Sequence, residues 1–179
     1  MLQLKKQDRK RVFPLHFEKT TDSETVYDGK ILRVSRDTVL LENGKPAFRE
    51  VVRHKGAVAV LALDQEKNAY FVKQFRYPVD RELWEVPAGK LEGFELPLDC
   101  AKRELREECG LLAENWTELG PYLSSPGFCD EVIWLFVAEN MTQGEQQLDE
   151  DEFLDVFKIP LAEAVEKVLR GSVPDGKTQ

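Results

Sequence analysis

Residues 89–111, GKLEGFELPLDCAKRELREECGL, restrict the fold of this chain more than any other stretch. The segment 98–109 predicts a helix. Pro97 suits a first helical turn, Asp99 places negative charge near the positive end of the dipole, and Gly110 can close the far end. Glu104 and Glu108 are four residues apart and so project from one face, with Glu107 bordering it. Like charges at this spacing oppose helix formation by about 0.2–0.5 kcal/mol each, and Arg103 and Arg106 relieve only part of that. Leu98, Ala101, Leu105 and Cys109 form the opposite, apolar stripe. A helix of this kind needs a core on one side and cationic charge on the other. Convergent carboxylates suit a hard divalent cation such as magnesium, which takes oxygen ligands, keeps several waters and leans on substrate phosphates. The five residues Glu104 to Glu108 alone favour a solvated acidic face, a common pattern on surface helices.

The wider spacing weighs against that plainer reading. Gly89 is followed by five residues, Glu95, seven more, and then Arg103-Glu104-Leu105-Arg106-Glu107-Glu108-Cys109-Gly110-Leu111. At ordinary residue usage such a match arises by accident in on the order of one window in a billion. The pattern resembles the complete Nudix box, G-x5-E-x7-R-E-U-x-E-E-x-G-U with U aliphatic. The resemblance implies a loop-helix-loop that binds divalent cations, magnesium or alternatively manganese, and positions a diphosphate for hydrolysis. It implies metal ligation by Glu104 and Glu108, by Glu107 directly or through water, and by the carbonyl of Ala88. Glu95 is expected to pair with Arg103 rather than to touch metal. The fold implied is α/β, a mixed β-sheet sandwiched between helices.

Length and composition agree with a single core. The chain has 179 residues, 42% hydrophobic and 32% charged, as in globular domains. No apolar run of about 18 residues offers a membrane span, and the charged start, residues 1–11, lacks the apolar stretch of a signal peptide. Three cysteines, Cys100, Cys109 and Cys129, with no C-x-x-C pair, read as reduced thiols of a cytoplasmic protein and not as a zinc site. The net charge of −8 is unevenly spread: residues 1–55 hold 13 Lys and Arg against 8 Asp and Glu, the remainder 12 against 25. An acidic body is a poor partner for nucleic-acid backbones, whereas a bound cation would reverse its field for an anionic substrate.

Along the chain, residues 1–24 show little periodicity and are expected to be a lead or edge segment. Residues 31–41 and 47–53 read as strands joined at Asn43-Gly44, a hairpin signal. A two-stranded hairpin is marginal alone, so this N-terminal antiparallel layer, 1–55, is expected to pack on the main domain, 56–179, or on a second subunit. Further strands are expected at 57–64, 69–75, 82–86, 117–123, 131–139 and 153–159, with the apolar 131–139 run interior to the sheet. An acidic, glutamine-rich loop spans 141–151. A helix is expected at 161–170 with Leu161, Val165, Val168 and Leu169 inward.

Several residues narrow the substrate through the same resemblance. Pro126, in S-S-P-G-F-C-D-E sixteen residues after Gly110, resembles the marker of ADP-ribose pyrophosphatases, though a Pro-Gly turn is its ordinary reading. Arg76, closing Q-F-R, and Arg53, closing the hairpin, stand where relatives place arginines on the substrate, a task suited to a forked guanidinium. The loop L-D-E-D-E-F resembles the one that supplies the general base, with Glu150 the favoured base and Glu152 assisting or touching metal. Phe48 falls where dimeric relatives place an aromatic on the nucleobase, while Ile31 replaces a second such aromatic. Relatives usually continue past residues 175–178 into a final helix; this sequence stops at Gln179. Together these imply a homodimeric hydrolase of nucleoside diphosphate sugars, ADP-ribose foremost. GDP-mannose or another nucleoside di- or triphosphate is the alternative substrate, and a non-catalytic nucleotide-sugar sensor the alternative class.

Overall fold

The computed structural model describes residues 16–179, and residues 1–15 of the expected lead lie outside them. The core follows from alternation along the strands. β4 (Ala57–Leu63) is apolar at every position and faces two layers at once. Val58, Val60 and Ala62 join one buried cluster, and Ala57, Ala59 and Leu63 join the other. β5 (Asn68–Arg76) divides the same way, Val72 to the first and Ala69 and Phe71 to the second. So does β9 (Val132–Gln143), with Phe136 and Ala138 against Ile133.

Each cluster is closed by a helix. α1 (Pro97–Cys109) contributes Cys100, Ala101, Leu105 and Cys109 to the first. α2 (Leu161–Leu169) contributes Ala164 to the second, beside an aromatic group in which Phe71 meets Trp84 edge-on at 4.7 Å and Phe157 stacked at 5.7 Å. Between the helices the strand order is β10 (Leu154–Pro160), β5, β4, β9, β8 (Leu111–Leu123), with β6 (Arg81–Glu85) on β5 and β7 (Ala88–Lys90) on β4. β4 and β9 are parallel and the other pairs antiparallel. The expected mixed sheet between helices is thus the observed architecture.

The N-terminal layer is larger than a hairpin. β2 (Arg33–Leu40) and β3 (Pro46–Arg53) pair across the expected turn, where Gly44 takes φ +78° and the Asn43 side chain accepts the Lys45 N–H at 3.0 Å. A third strand, β1 (Lys19–Asp28), pairs with β2 through two register shifts. Its sequence, KTTDSETVYD, is mostly polar and exposed throughout, so the ladder and polar side-chain bonds such as Ser23 to Asp37 and Arg36 to Glu24 hold it, and no hydrophobic period announces it. The layer meets the main sheet where Val52 bridges to Cys129, the Val52 N–H donating to the Phe128 carbonyl at 2.8 Å.

Other boundaries shift. β8 begins at Leu111, six residues before the expected 117, because the chain leaves α1 directly into the ladder with β9, which itself runs on to Gln143. β7 is too short to register as a periodic run. On α2, Val165 and Leu169 are exposed and not inward. Leu161, Ala164 and Val168 make the docked stripe instead, the i, i+3, i+7 positions of a narrow contact. Among the described residues no helix is long and apolar enough to cross a membrane. Leu105, fully buried, should lose about 2–5 kcal/mol on truncation to alanine, whereas Leu169→Ser should stay within about 0.5 kcal/mol; urea unfolding of the two variants checks both.

Candidate active site

α1 has no solvated acidic face. Glu104 and Glu108 are 9% and 3% exposed, as buried as the core residues on the opposite side of the helix. The segment that covers them is 87–91. The Ala88 N–H donates to Glu108 Oε2 at 2.9 Å, and a Cβ built on Gly89 would stand 1.8 Å from the Glu104 carboxylate. Glycine at 89 thus leaves room for that carboxylate, which a side chain there would force to swing away. This is the first glycine of the box.

Arg103 organises the acidic groups. Its Nη1 donates to Glu104 Oε1 at 2.8 Å and Glu107 Oε2 at 2.9 Å, and its Nε and Nη2 each donate to Glu95 at 3.0 Å. Nη2 also reaches the Lys90 carbonyl at 3.2 Å. The expected Glu95–Arg103 pair is present, and it ties the loop to the helix. The hydrogen bonds that it donates to Glu95, ahead of those to Glu107 and Glu104, hold the guanidinium firmly protonated.

The carboxylates themselves are under charge stress. Burial pushes the Glu108 carboxyl up to about 8, with the charges of Glu104 and Glu152 adding to it and the Ala88 N–H and Arg76 opposing. Burial raises Glu104 as well, Arg103 opposing, while Glu107 and Glu152 add. Among the described residues no three carboxylate, imidazole or thiolate groups already form a closed cation cage. What the structure offers is a buried, oxygen-only pair beside a glycine cradle, with Glu107 at the rim. That donor chemistry fits a hard cation that retains waters and shares substrate oxygens, and it gives such a cation a strong electrostatic reason to bind.

The loop expected to carry the base is latched to the same helix. The last carbonyls of α1 would otherwise be orphaned. The Gln147 N–H donates to the Glu107 carbonyl at 3.0 Å, Gln146 Nε2 to the Glu108 carbonyl at 2.6 Å, and the Gly144 N–H to the Gly110 carbonyl at 2.7 Å. Arg106 Nη2 closes the latch on Gln147 Oε1 at 2.8 Å. Beyond it Glu150 and Glu152 are exposed. Of the two, Glu152 is the one whose charge reaches Glu104 and Glu108.

Arg76 is no loose surface arginine. It donates through Nε and Nη2, both at 2.7 Å, to the two oxygens of Glu85, which is 1% exposed. Lys177 also binds Glu85. Burial pushes the Glu85 carboxyl up, but the two cations more than reverse that and hold it below its ordinary value. Arg53 lies farther off, at the junction of the layers, donating to Asp37 at 2.5 Å and to Asp130 at 3.4 Å. Pro126 is exposed in the turn whose next residues dock on Val52. Phe48 is 68% exposed on β3, its ring 5.9 Å from the Arg36 guanidinium carbon. The structure thus gathers Ala88, Glu104, Glu107, Glu108, Glu152 and Arg76, and sets Arg53, Pro126 and Phe48 apart on the N-terminal layer and its junction. Glu85, Gln146, Gln147 and Lys177 were not legible as site residues. Each acts through a partner distant in sequence, and only the burial of a charged residue within R-E-L-W-E-V-P could have drawn notice to Glu85.

Between the ordinary carboxyl range and about 8, folded Glu108 retains a proton that the unfolded chain has released, so stability falls as pH rises. Glu104 acts in the same sense. The melting temperature in chelator should therefore drop from pH 5 to pH 8, and Glu108→Gln should flatten that drop; thermal melts across the range test it.

Comparison with known proteins agrees with this geometry. Residues 53–177 match the family described as NUDIX domain, and residues 18–52 match the nucleoside diphosphate sugar hydrolase N-terminal domain. The chain is 44% identical over 163 residues to an ADP-ribose pyrophosphatase of Bacillus subtilis (strain 168), covering 90% of this chain and 88% of that one. It is 42% identical to a methanol dehydrogenase activator of Bacillus methanolicus with the same coverage. It is 40% identical to an ADP-ribose pyrophosphatase of Mycobacterium tuberculosis, covering 88% of this chain and 78% of that one. A crystal structure of an ADP compounds hydrolase shares the fold, with a TM-score of 0.74 at 21% identity over 89% of this chain and 84% of that one. The family works with divalent metal ions. With the whole box intact on a buried helix face and relatives of this identity along nine-tenths of its length, the chain belongs to the Nudix family of pyrophosphohydrolases.

Proposed function

We propose that this chain hydrolyses the pyrophosphate of nucleoside diphosphate sugars, with ADP-ribose as main substrate and AMP and ribose 5-phosphate as products. The observation that carries this is the buried Glu104–Glu108 pair set against Gly89, with Arg76 anchored beside it. The choice of ADP-ribose rests on the names of the Bacillus subtilis and Mycobacterium tuberculosis relatives. GDP-mannose remains the substrate to compare it with.

Glu104 and Glu108, with Glu107 at the rim and the Ala88 backbone alongside, are the residues that would hold magnesium, with manganese as substitute. Bound there, the ion supplies charge neutralisation of the diphosphate and polarisation of phosphorus. Arg76 orients the diphosphate through the donors that Glu85 leaves free, and Arg53 contributes from the junction. Glu152 extends the acidic cluster, and Glu150, two residues away on the latched loop, takes the proton of the attacking water. Pro126 shapes the turn that positions the junction.

The N-terminal layer, 1–55, serves as dimerisation surface and nucleobase platform. Its support is the exposed edge strand β1 together with exposed Tyr27, Ile31 and Phe48. The protein acts as a cytoplasmic homodimer on a small-molecule substrate, with neither nucleic acid nor membrane as partner; the acidic body is the reason for the former.

Glu108→Gln should fold, yet lose at least about 100-fold in kcat/KM with magnesium and ADP-ribose, as measured by AMP release. The two loop carboxylates should separate: Glu150→Gln lowers kcat by about 10²–10⁴-fold at unchanged magnesium requirement, whereas Glu152→Gln raises the magnesium concentration for half-activity. A wild-type enzyme that prefers GDP-mannose in kcat/KM would redirect the substrate assignment.

A further inference from the structure

The segment 171–179 forms no regular element, yet it is firmly seated. Val173 is fully buried, and Gln179 Nε2 donates to the Val173 carbonyl at 2.7 Å. Asp175 is its hub, accepting from Lys177 Nζ at 3.0 Å, from Thr178 Oγ1 at 2.5 Å and from the Thr178 N–H at 3.2 Å. Thr178 Oγ1 in turn accepts the Val86 N–H at 3.0 Å. The tail is thereby bonded to the backbone two residues before Ala88.

Lys177 extends from this hub to Glu85 and is itself only 12% exposed in its side chain. Glu85 therefore carries two cations on one carboxylate. Lys177 bonds Asp175 as well, so two cations face two carboxylates and the cluster is neutral. Without Lys177 it would carry net negative charge beside Arg76, its most exposed cation, whose side chain is 40% exposed against 12% for Lys177. The side-on bidentate contact also engages the Nε–Nη2 edge of the guanidinium, turning the remaining N–H groups away from Glu85. The charge of Arg76 is felt at Glu108, which sets it beside the acidic cluster.

We propose that Lys177 is a positioning residue of this site: by offsetting the carboxylates of Glu85 and Asp175 it keeps Arg76 in place and its charge available to the substrate diphosphate. This rests on the reading of Arg76 as a substrate contact. The effect belongs to substrate capture and not to the chemical step, because Lys177 meets neither the carboxylate pair nor the loop that carries Glu150.

The test is steady-state hydrolysis of ADP-ribose in saturating magnesium by Lys177→Met, Lys177→Gln and Lys177→Arg, with thermal melts and an Arg76→Ala background. For the two neutral variants KM should rise about 5–30-fold while kcat stays within about threefold. Arginine at this position should restore KM to within about threefold. In the Arg76→Ala background the neutral substitution should change KM less than about twofold, since coupled residues are non-additive. An unchanged KM, a loss confined to kcat, an additive loss on Arg76→Ala, or no rescue by arginine would each overturn the inference. So would a failure of both neutral variants to fold beside a folded arginine variant, which would make the role structural. Wild-type turnover, and its dependence on Arg76, checks the underlying functional reading separately: an active wild type matched in KM by Lys177→Met sinks only the role of Lys177.

Discussion

Two carboxylates buried on the inner face of one helix, against a backbone that can approach only because residue 89 is glycine, are the constraint from which the site follows. A buried ionised group is costly unless it is paired. Arg103 provides part of that pairing for Glu104 and Glu107, but Glu108 has a single backbone N–H and a distant arginine for company. The protein's own groups therefore leave this pair short of positive charge, a donor set that fits a divalent cation.

Four separate segments supply what surrounds the pair, and each is fastened by backbone or buried contacts. The glycine strand is held by the Ala88–Glu108 bond, and the acidic loop by the latch of Gln146 and Gln147 on the end of α1. Arg76 is held by Glu85, and Glu85 by the tail. Sites hold their geometry when the supporting contacts are themselves packed and bonded, and here the exposed Arg76 is braced by the buried Glu85.

The sequence disclosed whatever depends on local spacing. The box, the helix with its proline start and glycine stop, the Asn43-Gly44 turn and the double-faced apolar run of β4 were all legible, because period, caps and turn residues are short-range signals. What escaped depends on distant partners. β1 carries no hydrophobic alternation, since an edge strand exposed throughout is held by its ladder and by polar side-chain bonds to β2. On α2 the apolar residues outnumber the docked positions, and only contact with the sheet selects Ala164 over Val165. Glu85 and Lys177 are 92 residues apart, and nothing in either neighbourhood announces the other.

Anomalous diffraction from crystals grown with manganese would locate the cation. A peak is expected about 2.0–2.3 Å from carboxylate oxygens of Glu104 and Glu108, beside the 88–89 backbone. A manganese peak elsewhere, or an empty Glu104–Glu108 pair in an enzyme active with manganese, would contradict it.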